Sequence, residues 1–297
     1  MWTRKAFRQR VQLGEIVVAP GAYDALTAKL VQASGFEAVY LTGAGVSYSA
    51  LGQPDLGLIS FHEMWQALSS VAGSVEIPVI ADADNGYGNT LNVRRTVQMY
   101  EQAGAYAIQL EDQIAPKKCG HMAQKELIPA GEAAQKIKAA VASKMDVDTL
   151  IIARTDALAV TGLADALVRA KRFEDAGADL IFVEAPQNEE QMAAICASVS
   201  VPCLANMVEG GKTPLLQSAR LQELGYRAVI YPNMVTRVVA RQVQKALIEL
   251  RTHGTSAGLL EQMMLFPEFN RLLGIEEMQR WEHTYTSVDH ENSRAKG

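Results

Sequence analysis

The sequence predicts an α/β fold, a (β/α)8 TIM barrel, and three observations point to it. Short apolar runs alternate with longer amphipathic stretches along the 297 residues. The runs are apolar on both faces, as buried parallel strands covered by helices should be. Eight of them occur, each followed by a helical stretch, which is the count of a closed barrel. A doubly wound open sheet is the competing arrangement. It asks for a glycine-rich fingerprint after its first strand, and Val18-Ala19-Pro20-Gly21-Ala22 carries none.

Taken in order, the chain begins with Arg4, Lys5, Arg8 and Arg10 and no acid before Glu15. That pattern faintly resembles an organellar transit peptide. It lacks the serine richness, however, and Trp2 and Phe7 suit a short helix packed across one end of a domain. Strands are expected at Ile16–Pro20, Glu37–Thr42, Ile77–Asp82, Tyr106–Glu111, Thr149–Arg154, Asp179–Glu184, Pro202–Asn206 and Arg227–Pro232, all rich in Val, Ile and Leu. Amphipathic helices are expected at Tyr23–Ser34, Leu91–Ala103, Ala133–Lys144, Leu163–Ala176 and Gln217–Leu224. Gly35, Gly104, Gly177 and Gly225 stand where left-handed helix stops are wanted before the next strand. No linker interrupts the chain before Gly254, so residues 1–297 read as one barrel domain. Residues 255–285 form a helical extension (Leu259–Phe266, Glu268–Leu273, Ile275–Tyr285), and 286–297 read as a disordered polar tail.

Composition narrows the function. At 48% hydrophobic and 21% charged residues, the chain is neither disordered nor fibrous. No apolar run approaches the ~20 residues of a membrane span. Twenty-eight basic against 33 acidic residues, with no dense basic stripe, argue against a nucleic-acid partner. Three cysteines are too few and too odd in number for a disulfide framework, so a reducing cytoplasm is expected.

Chemistry gathers at the strand ends. Thr42, Asp82, Glu111, Arg154, Glu184 and Asn206 end strands two to seven, and Asp84 lies just beyond strand three. In a barrel these C-terminal ends converge on one mouth, where active sites lie. Asp55, Asp82, Asp84 and Glu111 form an all-oxygen set suited to Mg2+ or Mn2+ rather than zinc, one aspartate binding the ion and the others holding its waters. In Asp82-Ala83-Asp84 the two carboxylates are expected on one face of an extended chain. The loop after strand four, Lys117-Lys118-Cys119-Gly120-His121, sets a cysteine among cations, a setting that lowers a thiol pKa and makes it a proton donor or acceptor near neutrality. Cys196 and Cys203 sit in a helix and a strand and read as core residues.

Together these residues resemble the isocitrate lyase/phosphoenolpyruvate mutase superfamily. The resemblance runs from Pro20-Gly21-Ala22-Tyr23-Asp24-Ala25 through Tyr40-Leu41-Thr42-Gly43-Ala44-Gly45, Leu51-Gly52-Gln53-Pro54-Asp55, Gly86-Tyr87-Gly88-Asn89, Leu110-Glu111-Asp112-Gln113, Ala153-Arg154-Thr155-Asp156-Ala157 and Asn206-Met207-Val208-Glu209-Gly210-Gly211. The cysteine-bearing loop is similar to the lyase branch. The resemblance implies a barrel whose eighth helix is exchanged between subunits of a homotetramer, a dimer of dimers. It implies Mg2+ among Asp55, Asp82, Asp84 and Glu111, with Mn2+ able to substitute. Cys119 is then the catalytic acid in a gating loop with Gly120 and His121. Tyr40, Thr42, Gly43 and Ala44 bind the oxo-acid end, Arg154 clamps its carboxylate, and Glu184 and Asn206 hold the other fragment.

The implied reaction cleaves a 2-hydroxy di- or tricarboxylate to a 2-oxo acid and a carboxylate, with Arg154 and the backbone amides of Thr42–Ala44 stabilising the negative charge. Thr42, Ala44 and Met207-Val208 depart from the methylisocitrate lyase pattern toward dimethylmalate lyase-like relatives. Arg237, at the start of the eighth helix, matches the methylisocitrate lyases and is expected to face Arg154 across the mouth. On that ground 2-methylisocitrate, giving pyruvate and succinate, is the expected substrate. The alternatives are 2,3-dimethylmalate cleavage, oxaloacetate hydrolysis or decarboxylation, a carbon–phosphorus mutase, and a silent oxo-acid-binding barrel.

Overall fold

The computed structural model describes residues 2–120 and 124–286. Eight parallel strands close into a barrel in sequence order. They are β1 (Val17–Ala22), β2 (Val39–Leu41), β3 (Val79–Asp82), β4 (Ala105–Glu111), β5 (Leu150–Thr155), β6 (Leu180–Val183), β7 (Cys203–Asn206) and β8 (Tyr226–Tyr231). β1 closes the ring against β8, with Val17 opposite Ala228 and Pro20 opposite Tyr231. All eight expected strands are present, displaced by one or two residues at their ends.

Two apolar layers follow from the two faces of each strand. Inside the barrel lie Val17, Ala19, Ile80, Ala107, Ile152 and Leu204. The outer faces pack against the surrounding helices through residues such as Val39, Ile108, Ile151, Ile181 and Val229. Burying each such aliphatic side chain contributes about 1.5–3 kcal/mol, which is what makes the long parallel closure worthwhile. The basic N-terminal stretch is the helix Arg4–Leu13, and its Phe7 and Val11 join the inner cluster. Arg4 Nε donates to the Ala105 carbonyl at 3.0 Å and Arg8 pairs with Asp179 at 2.8 Å, so these cations bind the strand starts.

The helix stops behave as expected: Gly35, Gly104, Gly177 and Gly225 adopt φ of 84°, 103°, 95° and 107°. Three elements escape sequence periodicity. A short helix Gly43–Val46 runs directly after β2 into a π-helical turn, Ser47–Leu51, and another short helix, Ala157–Val160, follows β5. Four- and five-residue turns carry no amphipathic repeat to read.

The chain divides into two compact units, Met1–Ala240 and Arg241–Gly297. The division falls inside the helix Met234–His253, none of whose residues is buried. The second unit continues through a 3-10 turn Ala257–Gln262 and the helices Phe266–Leu272 and Ile275–Thr286. The tail expected beyond lies outside the described residues. Among the described residues no helix is long and apolar enough to cross a membrane.

Candidate active site

The strand ends converge as a barrel requires. Tyr40, Thr42, Ala44, Asp55, Asp82, Cys119, Gly120, Arg154, Glu184 and Asn206 line one cavity, together with Lys117, Phe182, Val208, Ile230, Pro232 and Asn233. Gly43, Asp84 and Glu111 stand directly behind this lining. A Cβ on Gly43 would sit 2.9 Å from Asp82 Oδ2, so only glycine lets the backbone approach that carboxylate. His121 lies outside the described residues.

The carboxylates are deeply buried: Asp55, Asp82, Asp84 and Glu111 are 4%, 6%, 4% and 5% exposed. Asp82 and Asp84 do not share a face of an extended chain, as their spacing suggests. The strand ends at Asp82, and Asp84 turns into the left-handed region at φ 45°. There its N–H donates to Asp82 Oδ1 at 3.1 Å and its carbonyl accepts from the Glu111 N–H at 2.9 Å. Aspartate tolerates this conformation better than most residues, and such strain concentrates at functional sites.

Two of these carboxylates share a cation. The Lys117 ammonium, itself buried, reaches Asp55 Oδ1 at 2.6 Å and Asp84 Oδ1 at 2.8 Å. The sequence places Lys117 and Lys118 as the electropositive setting of Cys119. In the structure Lys117 engages the carboxylates and Lys118 the Gln124 carbonyl, at 2.8 Å. Burial, reinforced by Asp82 and Asp55 against the pull of Lys117, pushes the Asp84 carboxyl up to about 6. Burial likewise pushes Glu111 well up, opposed chiefly by Arg154.

These observations test the set as a cation site. Its donors are oxygens, charge within it is underbalanced, and Glu111 Oε1 is buried without a hydrogen-bond partner. Among the described residues no three His, Cys, Asp or Glu side chains close on a point tightly enough to hold an ion alone. Both facts fit Mg2+, which takes one or two carboxylates and keeps its waters.

Arg154, at the end of β5, organises the opposite wall. Its Nε and Nη2 donate to Asp156 at 3.0 and 3.1 Å, and it also reaches Glu111 at 3.2 Å and Glu184 at 3.5 Å. Its guanidinium lies over the Phe182 ring, 5.2 Å from the centroid. Asn206 Nδ2 donates to Glu184 at 3.0 Å.

Of the Thr42–Ala44 backbone amides expected to face the developing charge, two are bonded within the protein. The Gly43 N–H donates to Asp82 Oδ2 at 3.3 Å, the Gly45 N–H to Thr42 Oγ1 at 3.2 Å, and the Thr42 N–H to the Ala22 carbonyl at 3.1 Å. They orient Asp82 and cap the short helix. Arg237 is not in the cavity lining. Its side chain is 58% exposed, bonded to the Glu209 carbonyl and 3.9 Å from Glu209 Oε2.

Sequence reasoning missed Gln109, whose Oε1 accepts from the Tyr40 hydroxyl at 3.1 Å while its Nε2 donates to Asp82 at 3.3 Å. The signal was present: Gln109 is polar within an apolar strand and two residues before Glu111, hence on the same inward face. Burial, then Asp82, pushes the Tyr40 phenol well up, so it remains a neutral donor.

Fold and site together define an α/β-barrel enzyme. The family model of phosphoenolpyruvate phosphomutase matches residues 7–251. A 2,3-dimethylmalate lyase of Eubacterium barkeri is 46% identical over 97% of this chain and 99% of its own. A 2-methylisocitrate lyase of Aeropyrum pernix is 42% identical over 97% and 90%. Among solved structures, oxaloacetate acetylhydrolase with 3,3-difluorooxalacetate aligns at TM-score 0.89 and 33% identity, covering 94% and 95%. Phosphonopyruvate hydrolase with oxalate and Mg2+ aligns at TM-score 0.86 and 31% identity, covering 96% and 99%. The chain therefore belongs to the phosphoenolpyruvate mutase/isocitrate lyase superfamily, as an enzyme of its lyase branch.

Proposed function

We propose that this enzyme is a Mg2+-dependent carbon–carbon lyase whose best substrates are small 2-hydroxy dicarboxylates of the 2,3-dialkylmalate type. One observation carries the reading: Cys119 and Gly120 line the same cavity as Arg154 and Asp82, so an acid and an anion-binding set face one space. On 2,3-dimethylmalate the C2–C3 bond breaks. The C2 hydroxyl loses its proton and becomes the carbonyl of pyruvate. C3 keeps the bonding pair and gains a proton, giving propionate.

One or two of the carboxylates Asp82, Asp84, Glu111 and Asp55 would bind the ion directly and the others would hold its waters; when bound, it supplies Lewis-acid polarisation at the carboxylate–hydroxyl end of the substrate. Arg154 clamps that carboxylate, its own orientation fixed by Asp156. The neutral Tyr40 phenol donates to Gln109 and so holds that amide against Asp82 at the same end. Cys119 delivers its thiol proton to C3. Glu184 and Asn206 hold the departing fragment, and His121 is assigned to the same loop chemistry.

Substrate choice rests on the lining. Among the described residues it includes the apolar Ala44, Phe182, Val208, Ile230 and Pro232, which suit the methyl groups of a dialkylmalate, and no second arginine for a third carboxylate. The dimethylmalate lyase relative supports this reading. 2-Methylisocitrate is the second reading, supported by its own relative and by Arg237 at the rim. Pyruvate release coupled to lactate dehydrogenase, run with Mg2+ on 2,3-dimethylmalate, 2-methylisocitrate and oxaloacetate, separates them. A kcat/KM for 2-methylisocitrate above that for dimethylmalate would give the second reading precedence.

Assembly is part of the same proposal. The helix Met234–His253 exposes Val238, Val239, Val243, Leu247, Ile248 and Leu250, a face too apolar to remain in water. We assign it to helix exchange in a homotetramer, for which light scattering should give four times the 32.3 kDa chain mass. A monomeric mass at micromolar concentration would contradict it. Three cysteines, Cys119, Cys196 and Cys203, cannot make a disulfide framework, which supports a reducing, cytoplasmic setting.

A further inference from the structure

We infer that Lys125 is a positioning residue that ties the Gly120 carbonyl to Asp156 and thereby sets Cys119 against Arg154. The lysine is unusual in being almost wholly enclosed: its side chain is 1% exposed and that of Asp156 is 0%. A buried ammonium is tolerated only when paired and hydrogen-bonded. Here Nζ donates to Asp156 Oδ1 at 2.6 Å and to the Gly120 carbonyl.

Asp156 is a fixed point. Both its oxygens receive Arg154, and its own N–H donates to Asp112 Oδ1 at 3.0 Å. Asp112 is in turn held by Thr155 Oγ1 at 2.7 Å and Arg169 Nη1 at 3.1 Å. Lys125 extends this rigid base outward to the loop.

The loop needs such a tie on one side only. Before the cysteine, Gln113 brackets Lys118 with two bonds of 2.9 Å, and the Cys119 N–H donates to the Asp55 carbonyl at 3.2 Å. After it, among the described residues, Lys125 holds the Gly120 carbonyl. A lysine suits the task because one ammonium carries three donors and here joins a carbonyl and a carboxylate at once. Removing it takes one of two cations from Asp156, which stays paired with Arg154, while the loop loses its register. The effect should fall on proton delivery rather than on substrate binding.

The kinetic arm of the test rests on the proposed lyase activity; the chemical arm does not. Full-length Lys125→Met, Lys125→Gln and Lys125→Arg are compared with the natural chain. Cys119 alkylation by iodoacetamide is located by peptide mass spectrometry, and kcat and KM are measured for the preferred malate with Mg2+. Lys125→Met should alkylate at Cys119 about tenfold faster and lose about ten- to hundredfold in kcat, with KM within about threefold, as expected for a lost charged hydrogen bond. Lys125→Arg, keeping charge and donors, should recover most of both. Should the methionine variant fail to fold, Lys125→Gln carries the same comparison. Natural alkylation and kcat in the folded variants would overturn the inference, as would a loss confined to KM. A natural chain inactive on every malate sinks the lyase reading alone, and alkylation still decides the role of Lys125.

Discussion

Replacing Gly120 by alanine adds one methyl group where the structure has no room for it. The new Cβ would lie 2.5 Å from Arg154 Nη2 and 2.7 Å from both Cδ and Cγ of Glu184. Neither neighbour is a loose end: Arg154 is held twice by Asp156, at 3.0 and 3.1 Å, and Glu184 by Asn206 at 3.0 Å. The backbone at Gly120 is not in the left-handed region, so alanine meets no conformational penalty and the cost is steric. Overpacking of this kind costs about 1–3 kcal/mol. The loop is the softer partner, so it should lift rather than displace Arg154, and the cost should appear in catalysis. At about 1.4 kcal/mol per factor of ten, kcat/KM should fall roughly five- to hundredfold. Pyruvate release gives the rate, and thermal unfolding should shift by no more than a few degrees because the loop adds little to the core. Natural kcat/KM in Gly120→Ala would refute the placement of the loop against Arg154. A steep loss of thermal stability with unchanged turnover per folded molecule would refute the argument that the loop yields.

Cys119→Ser should lose about 10²–10⁴ in kcat while still binding a 2-oxo acid, since a serine hydroxyl is far too weak an acid to replace the thiol; retention of a tenth of the rate would remove its role. EDTA should abolish turnover, and Mg2+ or Mn2+ should restore it, whereas Asp82→Ala should need far more metal for the same rate. Because the Asp84 carboxyl is pushed up to about 6 in the metal-free protein, protons should compete with Mg2+ below that pH, and half-saturating Mg2+ should rise as pH falls from 7 to 5. The stability sign is opposite. A carboxyl raised above its unfolded value favours the metal-free fold at low pH, and that contribution fades as pH rises through about 6. A flat metal requirement across this range would contradict the assignment. Arg237→Ala should change dimethylmalate kcat/KM by less than about threefold, as expected of an exposed ion pair, and a selective loss on 2-methylisocitrate would favour the second reading.

The barrel was legible because the strands are apolar on both faces and four of the following helices end in a stop glycine. The convergence of Asp82, Glu111, Arg154, Glu184 and Asn206 was legible for the same reason: in a closed barrel all strand ends share one mouth. Partners were not. Lys117 looked like the electrostatic neighbour of Cys119 by adjacency in sequence, yet its side chain crosses to Asp55 and Asp84. Lys125 sits in a loop with no periodicity and gains meaning only when the fold carries it to Asp156. The Asp82/Asp84 geometry depends on a left-handed turn that a carboxylate permits but does not announce. Arg237 was expected at the mouth because it matches the methylisocitrate lyases, whereas its side chain is exposed beside Glu209 and is not part of the lining.

The central claim, that a carbon–carbon bond breaks here and the loop cysteine protonates the carbanion, is tested most directly by isotope incorporation. The purified enzyme is run with Mg2+ and 2,3-dimethylmalate in D2O, and the products are read by NMR. The account predicts pyruvate in equal amount with propionate carrying one deuterium at C2, and with Cys119→Ser the formation of both should all but cease. Absence of propionate, or undiminished deuterated propionate from Cys119→Ser, would contradict it.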